Sequence, residues 1–388
     1  MARPRWKRLG ISAIKLVIAA LVLWSVGRHV ARSWEALGRH GKPLQFQPAW
    51  LVLSGVLYLA GLALCGIFFH QILRASPSPT RRYAAIRAYL VSHLGKYVPG
   101  KAMVVVVRAG MVVPFGAKGV TAAIATFYET LVMMAAGGLI SALCFGLAPE
   151  QGDPVIYYLG IEGDLFGPGG AIGGIPQWLL FAGVSLGLGL AFLVVVTPPV
   201  FGRLTRLVTT PFGVVEEESS PRFSMRLMGW GLLWSTGCWI LLGLSQLAVV
   251  RAISPLDPAD AIRLAPLAIG SVAIATVAGF VVAVLPGGLG VREGVLMAAL
   301  GPTVGDGVAV ASALLLRLVW IAAELIAGAI LMVLRPRPIR EPEPEPGPIN
   351  HNHDPARPSD ATESSSSSSD PPTPAATPAP AELGQHLS

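Results

Sequence analysis

Two segments of the sequence combine a Pro-Gly step with further glycines and cationic side chains, the residue types that bind phosphate. They are residues 97–110 (YVPGKAMVVVVRAG) and residues 284–294 (VLPGGLGVREG). A helix that starts after such a break presents unpaired backbone N–H groups and the positive end of its dipole, and both attract an anion. Glycines let the backbone approach a ligand closely, and a nearby lysine or arginine adds formal charge. The pattern therefore predicts anion binding at both segments.

The composition places these segments in a membrane protein. Hydrophobic residues make up 53% of the chain and charged residues only 13%, whereas about a quarter of the residues in soluble domains are charged. A hydrocarbon core of about 30 Å requires about 20 mainly apolar residues to cross. Six stretches meet this requirement and are predicted to span the membrane: residues 9–26, 49–73, 120–147, 178–196, 228–250 and 308–334. The predicted fold is an all-α polytopic membrane protein.

The loop charges predict the orientation. Residues 149–177 contain four acidic residues and no lysine or arginine, so we expect this loop outside the cell. Basic residues gather in segments that we expect in the cytoplasm together with both termini: residues 1–8, 74–87, 203–226 and 335–340. One loop between the first two spans contradicts this orientation, because it contains four basic residues, Arg28, Arg32, Arg39 and Lys42.

Two further apolar stretches, residues 83–113 and 262–300, are each broken by a Pro-Gly step. With the orientation above they cannot cross the membrane, so we predict two re-entrant helical hairpins. The chain then forms an inverted repeat with halves at about residues 9–148 and 177–334. Broken segments at matching places in inverted halves point to a binding site near the midplane, although such a break can also be a simple hinge.

The last part of the chain, residues 335–388, has a different composition. It is rich in proline and alternating charge and contains an uninterrupted serine run at residues 364–369. Such a segment buries too little apolar surface to fold, so we predict a disordered tail after a membrane domain at residues 1–334. The basic character of that domain suits anionic lipid surfaces. We expect no nucleic-acid binding, because membrane proteins keep basic residues in cytoplasmic loops for topological reasons.

Two acids and one arginine lie well inside the third and last predicted spans, where each charge costs about 2.5 to 3.5 kcal/mol. Glu129 is in the third span, and Arg317 and Glu324 are in the last. A separation of seven residues is nearly two helical turns, so Arg317 and Glu324 share a face. We predict a buried charge network. It is either a structural pair through a third group, such as Glu129 or Arg292, or a relay for protons or headgroups.

The sequence contains no sign of a metal, a cofactor or an enzyme site. Its three cysteines, Cys65, Cys144 and Cys238, all fall within predicted spans and form no CxxC motif. His93 is the only histidine near the first Pro-Gly segment, and no nucleophile–base pair or phosphate-binding Walker loop is present. We expect neither catalysis nor a bound metal or cofactor.

The Pro-Gly segments resemble the paired motifs of the lysylphosphatidylglycerol synthase transmembrane, or flippase-like, family, and the similarity extends to Leu334. The resemblance implies a multi-pass inner-membrane protein linked to lipid translocation. A polar tail stands where the full synthase has its aminoacyl-transferring domain, so we expect no synthase activity. The resemblance assigns substrate binding to eleven residues: Lys96, Pro99, Gly100, Lys101, Arg108, Pro286, Gly287, Gly288, Gly290, Arg292 and Glu293.

The favoured function is the binding and translocation of an anionic membrane lipid or a lipid-linked headgroup. Two alternatives stay open. One is a non-transporting partner subunit of a lipid-modifying or envelope-assembly system, whose tail recruits other proteins. The other is a membrane-embedded enzyme that acts on a lipid or polyprenyl phosphate.

Overall fold

A computed structural model describes residues 46–76, 80–97, 102–147, 177–210, 221–282 and 291–334. This part of the chain is helical and contains no β-strand. Its α-helices are α1 (Pro48–Arg74), α2 (Arg82–Ser92), α3 (Ala102–Val112), α4 (Gly119–Gly146), α5 (Gln177–Val196), α6 (Pro198–Thr209), α7 (Met225–Ile253), α8 (Pro258–Val281), α9 (Val291–Val304) and α10 (Asp306–Val333). Short 3₁₀ turns at His93–Tyr97 and Val113–Phe115 follow α2 and α3. The predicted disordered tail lies outside the described residues.

Among the described residues, six helices are long and apolar enough to cross a membrane: α1, α4, α5, α7, α8 and α10. They confirm the prediction of an all-α polytopic membrane protein. Five of them coincide with predicted spans, and the predicted span at residues 9–26 lies outside the described residues. The sixth is α8, which the sequence analysis placed in a re-entrant hairpin. Its 24 residues make it about 36 Å long, so this arm is longer than a re-entrant arm requires.

The first Pro-Gly segment lies between two short helices. α2 and α3 have 11 residues each and are therefore each about 16 Å long, half the length of a spanning helix. They pack against each other at the 3₁₀ turn, where a Cβ on Gly95 would lie only 3.0 Å from the backbone nitrogen of Val104. The pair forms a helical hairpin of half length. Its entry into the membrane and the inverted repeat stay predictions.

Two basic segments, residues 74–87 and residues 203–226, meet the C-terminal end of α10 at one end of the helix bundle. Three hydrogen bonds join them there: Arg222 N to Ala75 O at 3.1 Å, Tyr83 OH to Leu334 O at 3.0 Å, and Arg87 Nε to Leu331 O at 2.6 Å. The C-terminal ends of α1 and α10, the start of α2 and the residues before α7 therefore share one side. Their basic charge predicted that these two segments lie on a common side of the membrane.

The interior is closely packed along α4. A Cβ on Gly138 would lie 2.5 Å from the Cα of Gly189, so these two glycines let α4 and α5 approach backbone to backbone. On a neighbouring face, the fully buried indole of Trp239 donates from Nε1 to Met133 O at 2.9 Å. These contacts hold α4 against α5 and α7, and α4 in turn carries Glu129 into the interior.

Candidate functional site

The residues that the sequence analysis singled out fall into three sets. Seven lie outside the described residues: Pro99, Gly100, Lys101, Pro286, Gly287, Gly288 and Gly290. Arg108 and Glu129 belong to one buried cluster. Lys96, Arg292, Glu293, Arg317 and Glu324 belong to another.

The Arg108 cluster consists of Tyr89, Ser92, Arg108 and Glu129, and joins the α2–α3 hairpin to α4. Arg108 is 2% exposed. Its Nη1 lies 3.0 Å from Glu129 Oε2, and its Nε donates to Ser92 Oγ at 2.9 Å. Tyr89 donates its hydroxyl to the other carboxylate oxygen of Glu129 at 2.8 Å, and its ring centroid lies 4.0 Å from Arg108 Cζ. One cation faces one carboxylate here, so this cluster has no excess charge for a ligand.

The Arg292 cluster consists of side chains from α1, the His93–Tyr97 turn, α9 and α10: Tyr58, Lys96, Arg292, Glu293, Arg317, Trp320 and Glu324. One ion pair links Lys96 Nζ with Glu324 Oε1. The Tyr58 hydroxyl donates to the same carboxylate oxygen and lies 3.3 Å from Lys96 Nζ. The Glu324 side chain is 1% exposed, whereas that of Lys96 is 34% exposed. The pair is therefore buried at its anionic end and partly open at its cationic end.

A second ion pair in this cluster joins Arg317 Nη1 of α10 to Glu293 Oε1 of α9. Arg317 and Glu324, which share a face of α10, thus have different partners. Glu129 lies instead in the Arg108 cluster, where its carboxylate pairs with Arg108. The predicted charge network is divided between two separate sets of contacts.

Arg292 differs from the other charged residues of the cluster. Within the described part of the chain, it forms no ion pair or hydrogen bond. Its Cζ lies 4.3 Å from the ring centroid of Trp320, in a cation–π contact. Trp320 in turn stacks on Tyr58, with ring centroids 4.3 Å apart and planes inclined by 11°. The guanidinium therefore rests on an aromatic surface, and none of the described carboxylates forms an ion pair with it.

The charges of the described cluster do not balance. Its cations are Lys96, Arg292 and Arg317, and its carboxylates are Glu293 and Glu324. One positive charge is left over in a partly buried position, where the low effective dielectric strengthens its attraction to an anion. Arginine presents a planar fork of N–H donors that matches the oxygens of a phosphate. The arrangement can therefore bind one anionic group.

Four residues of the two clusters were not predicted, namely Tyr58, Trp320, Tyr89 and Ser92. Aromatic residues and serines within apolar runs look like ordinary packing residues in a sequence. Spacing contained one usable signal. Trp320 lies three residues after Arg317 and four before Glu324, so it occupies the helix face that the two charges share.

Histidine and cysteine do not extend the site. His93 Nδ1 lies 3.1 Å from the carbonyl oxygen of Tyr89, one helical turn earlier. The three cysteines are free and buried. Among the residues that the structure describes, no three histidine, cysteine or acidic side chains are grouped to hold a metal ion.

The sequence was also compared with known proteins. The profile of the family described as "Lysylphosphatidylglycerol synthase TM region" matches residues 12–328. No curated protein matches the chain. The matched range contains both Pro-Gly segments and every residue of the two clusters. This multi-pass membrane protein belongs to the lysylphosphatidylglycerol synthase transmembrane region family.

Proposed function

We propose that this protein binds the phosphate of an anionic membrane lipid, or of a lipid-linked headgroup, at the Arg292 cluster and translocates that lipid across the membrane. The lipid is moved without chemical change. The observation that carries the proposal is the state of Arg292, a partly buried cation that lies on Trp320 and has no carboxylate partner among the described residues.

The charge of the cluster supports a singly charged ligand. Glu293 and Glu324 neutralise Arg317 and Lys96, and the remaining charge of Arg292 matches one phosphodiester. An unpaired ion is costly to bury, so a bound phosphate that pairs with Arg292 also stabilises the folded protein. The part-exposed side chain of Lys96 gives the phosphate a second cation to approach.

The position of the cluster supports translocation. Trp320 and Glu324 lie near the middle of α10, and Tyr58 lies near the middle of α1. The cluster also joins helices from both predicted halves of the chain, α1 and the His93–Tyr97 turn from one half and α9 and α10 from the other. A site between two halves at mid-depth can be opened to either leaflet by a movement of one half against the other.

The proposed setting is the inner membrane, with both termini in the cytoplasm. The meeting of basic segments at one end of the bundle supports this orientation, because basic loops stay preferentially on the cytoplasmic side. Lipid-modifying or envelope-assembly proteins are proposed further partners, since they produce or consume such lipids.

The binding step is tested with the purified full chain in a zwitterionic detergent. Phosphatidylglycerol is titrated in, and thermal stabilisation is measured against phosphatidylcholine. Charge-assisted contacts contribute about 1.5 to 3 kcal/mol, so Arg292→Ala should weaken phosphatidylglycerol binding about ten- to a hundredfold. Arg292→Lys should recover only part of the loss, because lysine offers a point charge in place of a planar fork.

Arg251→Ala is the matched control, because Arg251 also lies over a tryptophan, with its Cζ 4.4 Å from the ring centroid of Trp50, but outside the cluster. This variant should bind phosphatidylglycerol like the wild type. Equal stabilisation of wild type and Arg292→Ala by phosphatidylglycerol would refute the phosphate site. Translocation is tested in proteoliposomes with a fluorescent phosphatidylglycerol and a membrane-impermeant quencher. Wild type should move the lipid between leaflets faster than Arg292→Ala, and equal rates would refute a role of the site in transport.

A further inference from the structure

We propose that Trp320 is a positioning residue: its ring holds the Arg292 guanidinium away from the carboxylates of the cluster, so that the N–H donors stay available for a ligand. The inference rests on the proposed function, because it concerns how the same site is kept ready to bind a phosphate.

Arg292 has two carboxylates in its surroundings, and both are occupied. Glu293, its neighbour in the chain, pairs with Arg317, and Glu324 pairs with Lys96 and accepts from Tyr58. Arg292 is instead in contact with the Trp320 ring. A ring face attracts the cation through its quadrupole and uses none of the five guanidinium N–H donors. A phosphate can therefore bind at the edge of the guanidinium without first breaking an ion pair.

Trp320 is held in place by buried contacts on two other helices. Its Nε1 donates to Ser245 Oγ of α7 at 2.9 Å, and this oxygen lies 2.7 Å from Ser54 Oγ of α1. Both serines are fully buried. The Tyr58 ring stacks on the indole at 4.3 Å. Because an indole N–H can only donate, the Ser245 hydroxyl determines the rotation of the ring, and the stacked tyrosine limits its displacement.

Four helices thus converge on one guanidinium. α1 and α7 contribute the serine pair, α10 contributes the indole, and α9 contributes Arg292. The Ser245 hydroxyl satisfies the buried indole N–H and at the same time fixes the orientation of the ring. The common result of these contacts is a fixed aromatic surface beneath the only cation of the described cluster that lacks an anionic partner.

The test measures the apparent affinity of the purified full chain for phosphatidylglycerol by thermal stabilisation, with phosphatidylcholine as the reference lipid. Trp320→Leu should weaken phosphatidylglycerol binding about five- to thirtyfold, the range expected for a desolvated cation–π contact. Trp320→Phe keeps a ring face and should lose less affinity than Trp320→Leu. Ser245→Ala removes only the acceptor of the indole N–H and should fall between wild type and Trp320→Leu.

Trp50→Leu is the matched control, because it removes a similar tryptophan–arginine contact outside the cluster. Its affinity for phosphatidylglycerol should equal that of the wild type. A loss as large as that of Trp320→Leu would show that any tryptophan deletion has this effect, and would overturn the proposal.

A double variant separates positioning from general damage to the fold. In an Arg292→Ala background, Trp320→Leu should cause no further loss of phosphatidylglycerol affinity, because the indole acts through the guanidinium. If Trp320→Leu lowers phosphatidylglycerol affinity equally with and without Arg292, the inference is overturned. Wild-type affinity of Trp320→Leu would also overturn it. If the leucine variant does not fold, wild-type affinity of Ser245→Ala would overturn it instead. If Arg292→Ala itself binds like the wild type, the proposed function fails. If Arg292→Ala loses affinity but the Trp320 and Ser245 variants bind phosphatidylglycerol like the wild type, the positioning role fails and the phosphate site stands.

Discussion

Removing either partner of the ion pair between Lys96 and Glu324 should destabilise the protein. The charge balance of the Arg292 cluster predicts which of the two substitutions costs more. Glu324→Gln removes one carboxylate and leaves three cations facing one acid, whereas Lys96→Met leaves two of each. The carboxylate is almost fully buried, and the lysine is about one third exposed. Burial alone would make an unpaired Glu324 costlier than an unpaired Lys96. In Lys96→Met, however, the excess cation of the cluster compensates Glu324, whereas Glu324→Gln adds to the excess, so we expect the glutamate substitution to be the more damaging of the two.

The magnitudes follow from what each change leaves behind. Removing one partner of a buried pair costs about 3 to 5 kcal/mol, and partial solvation of Lys96 places Glu324→Gln near the lower end. Glutamine keeps an acceptor for the Tyr58 hydroxyl, so this cost reports the charge and not a lost hydrogen bond. Lys96→Met leaves Glu324 with the tyrosine and the nearby excess cation, and should cost about 1 to 3 kcal/mol, the penalty for an incompletely paired buried acceptor.

The assay is thermal unfolding of each purified variant in one detergent, together with the yield of monodisperse protein. The apparent Tm should fall in the order wild type, Lys96→Met, Glu324→Gln. The double variant Lys96→Met/Glu324→Gln restores the original charge difference and should be more stable than Glu324→Gln alone. If Lys96→Met is at least as destabilising as Glu324→Gln, or if the double variant shows no recovery, the charge-balance reasoning is refuted.

Two further predictions concern the Arg108 cluster and the topology. Glu129→Gln leaves the buried Arg108 without its carboxylate, so folded yield and Tm should fall by an amount that corresponds to about 3 to 5 kcal/mol. The protein that does fold should keep its affinity for phosphatidylglycerol. A selective loss of lipid affinity would instead assign this cluster to the binding site. Single cysteines in a variant without native cysteines should be labelled by an impermeant reagent from outside in residues 149–177 but not in residues 335–388, and labelling of the tail from outside would contradict the orientation.

Much of the fold could be predicted from the sequence, because the requirement for about 20 apolar residues is a local property of the chain. Five of the candidate spans coincide with predicted ones for this reason. α8 was assigned differently. The loop charges led to the prediction that both Pro-Gly segments form re-entrant hairpins. The part of the chain before the second break, however, extends as one helix from Pro258 to Val281, with Pro266 inside it. The helix length depends on tertiary packing, which loop charges do not report.

The site could be predicted only in part. Charges within apolar runs are conspicuous because they are costly, so Arg292, Glu293, Arg317 and Glu324 were identified. Their pairing could not be predicted, because the partner of Glu324 lies 228 positions away in the chain. Helical spacing showed that Arg317 and Glu324 share a face, but not which neighbouring element supplies the opposite charge to each.

The contrast between the two clusters gives the paired charges of the second Pro-Gly segment a physical meaning. Arg108 and Glu129 neutralise each other, as expected of a buried structural pair. Arg292 and Glu293 are adjacent but have different roles, because Glu293 pairs with Arg317 of the next helix. That pairing removes the acid nearest to Arg292 in the chain, and the Trp320 ring takes its place as the neighbouring group. Glu293 thus joins α9 to α10 by neutralising Arg317, and Arg292 stays without an ion-pair partner among the described residues, which is the basis for proposing it as the anion-binding residue.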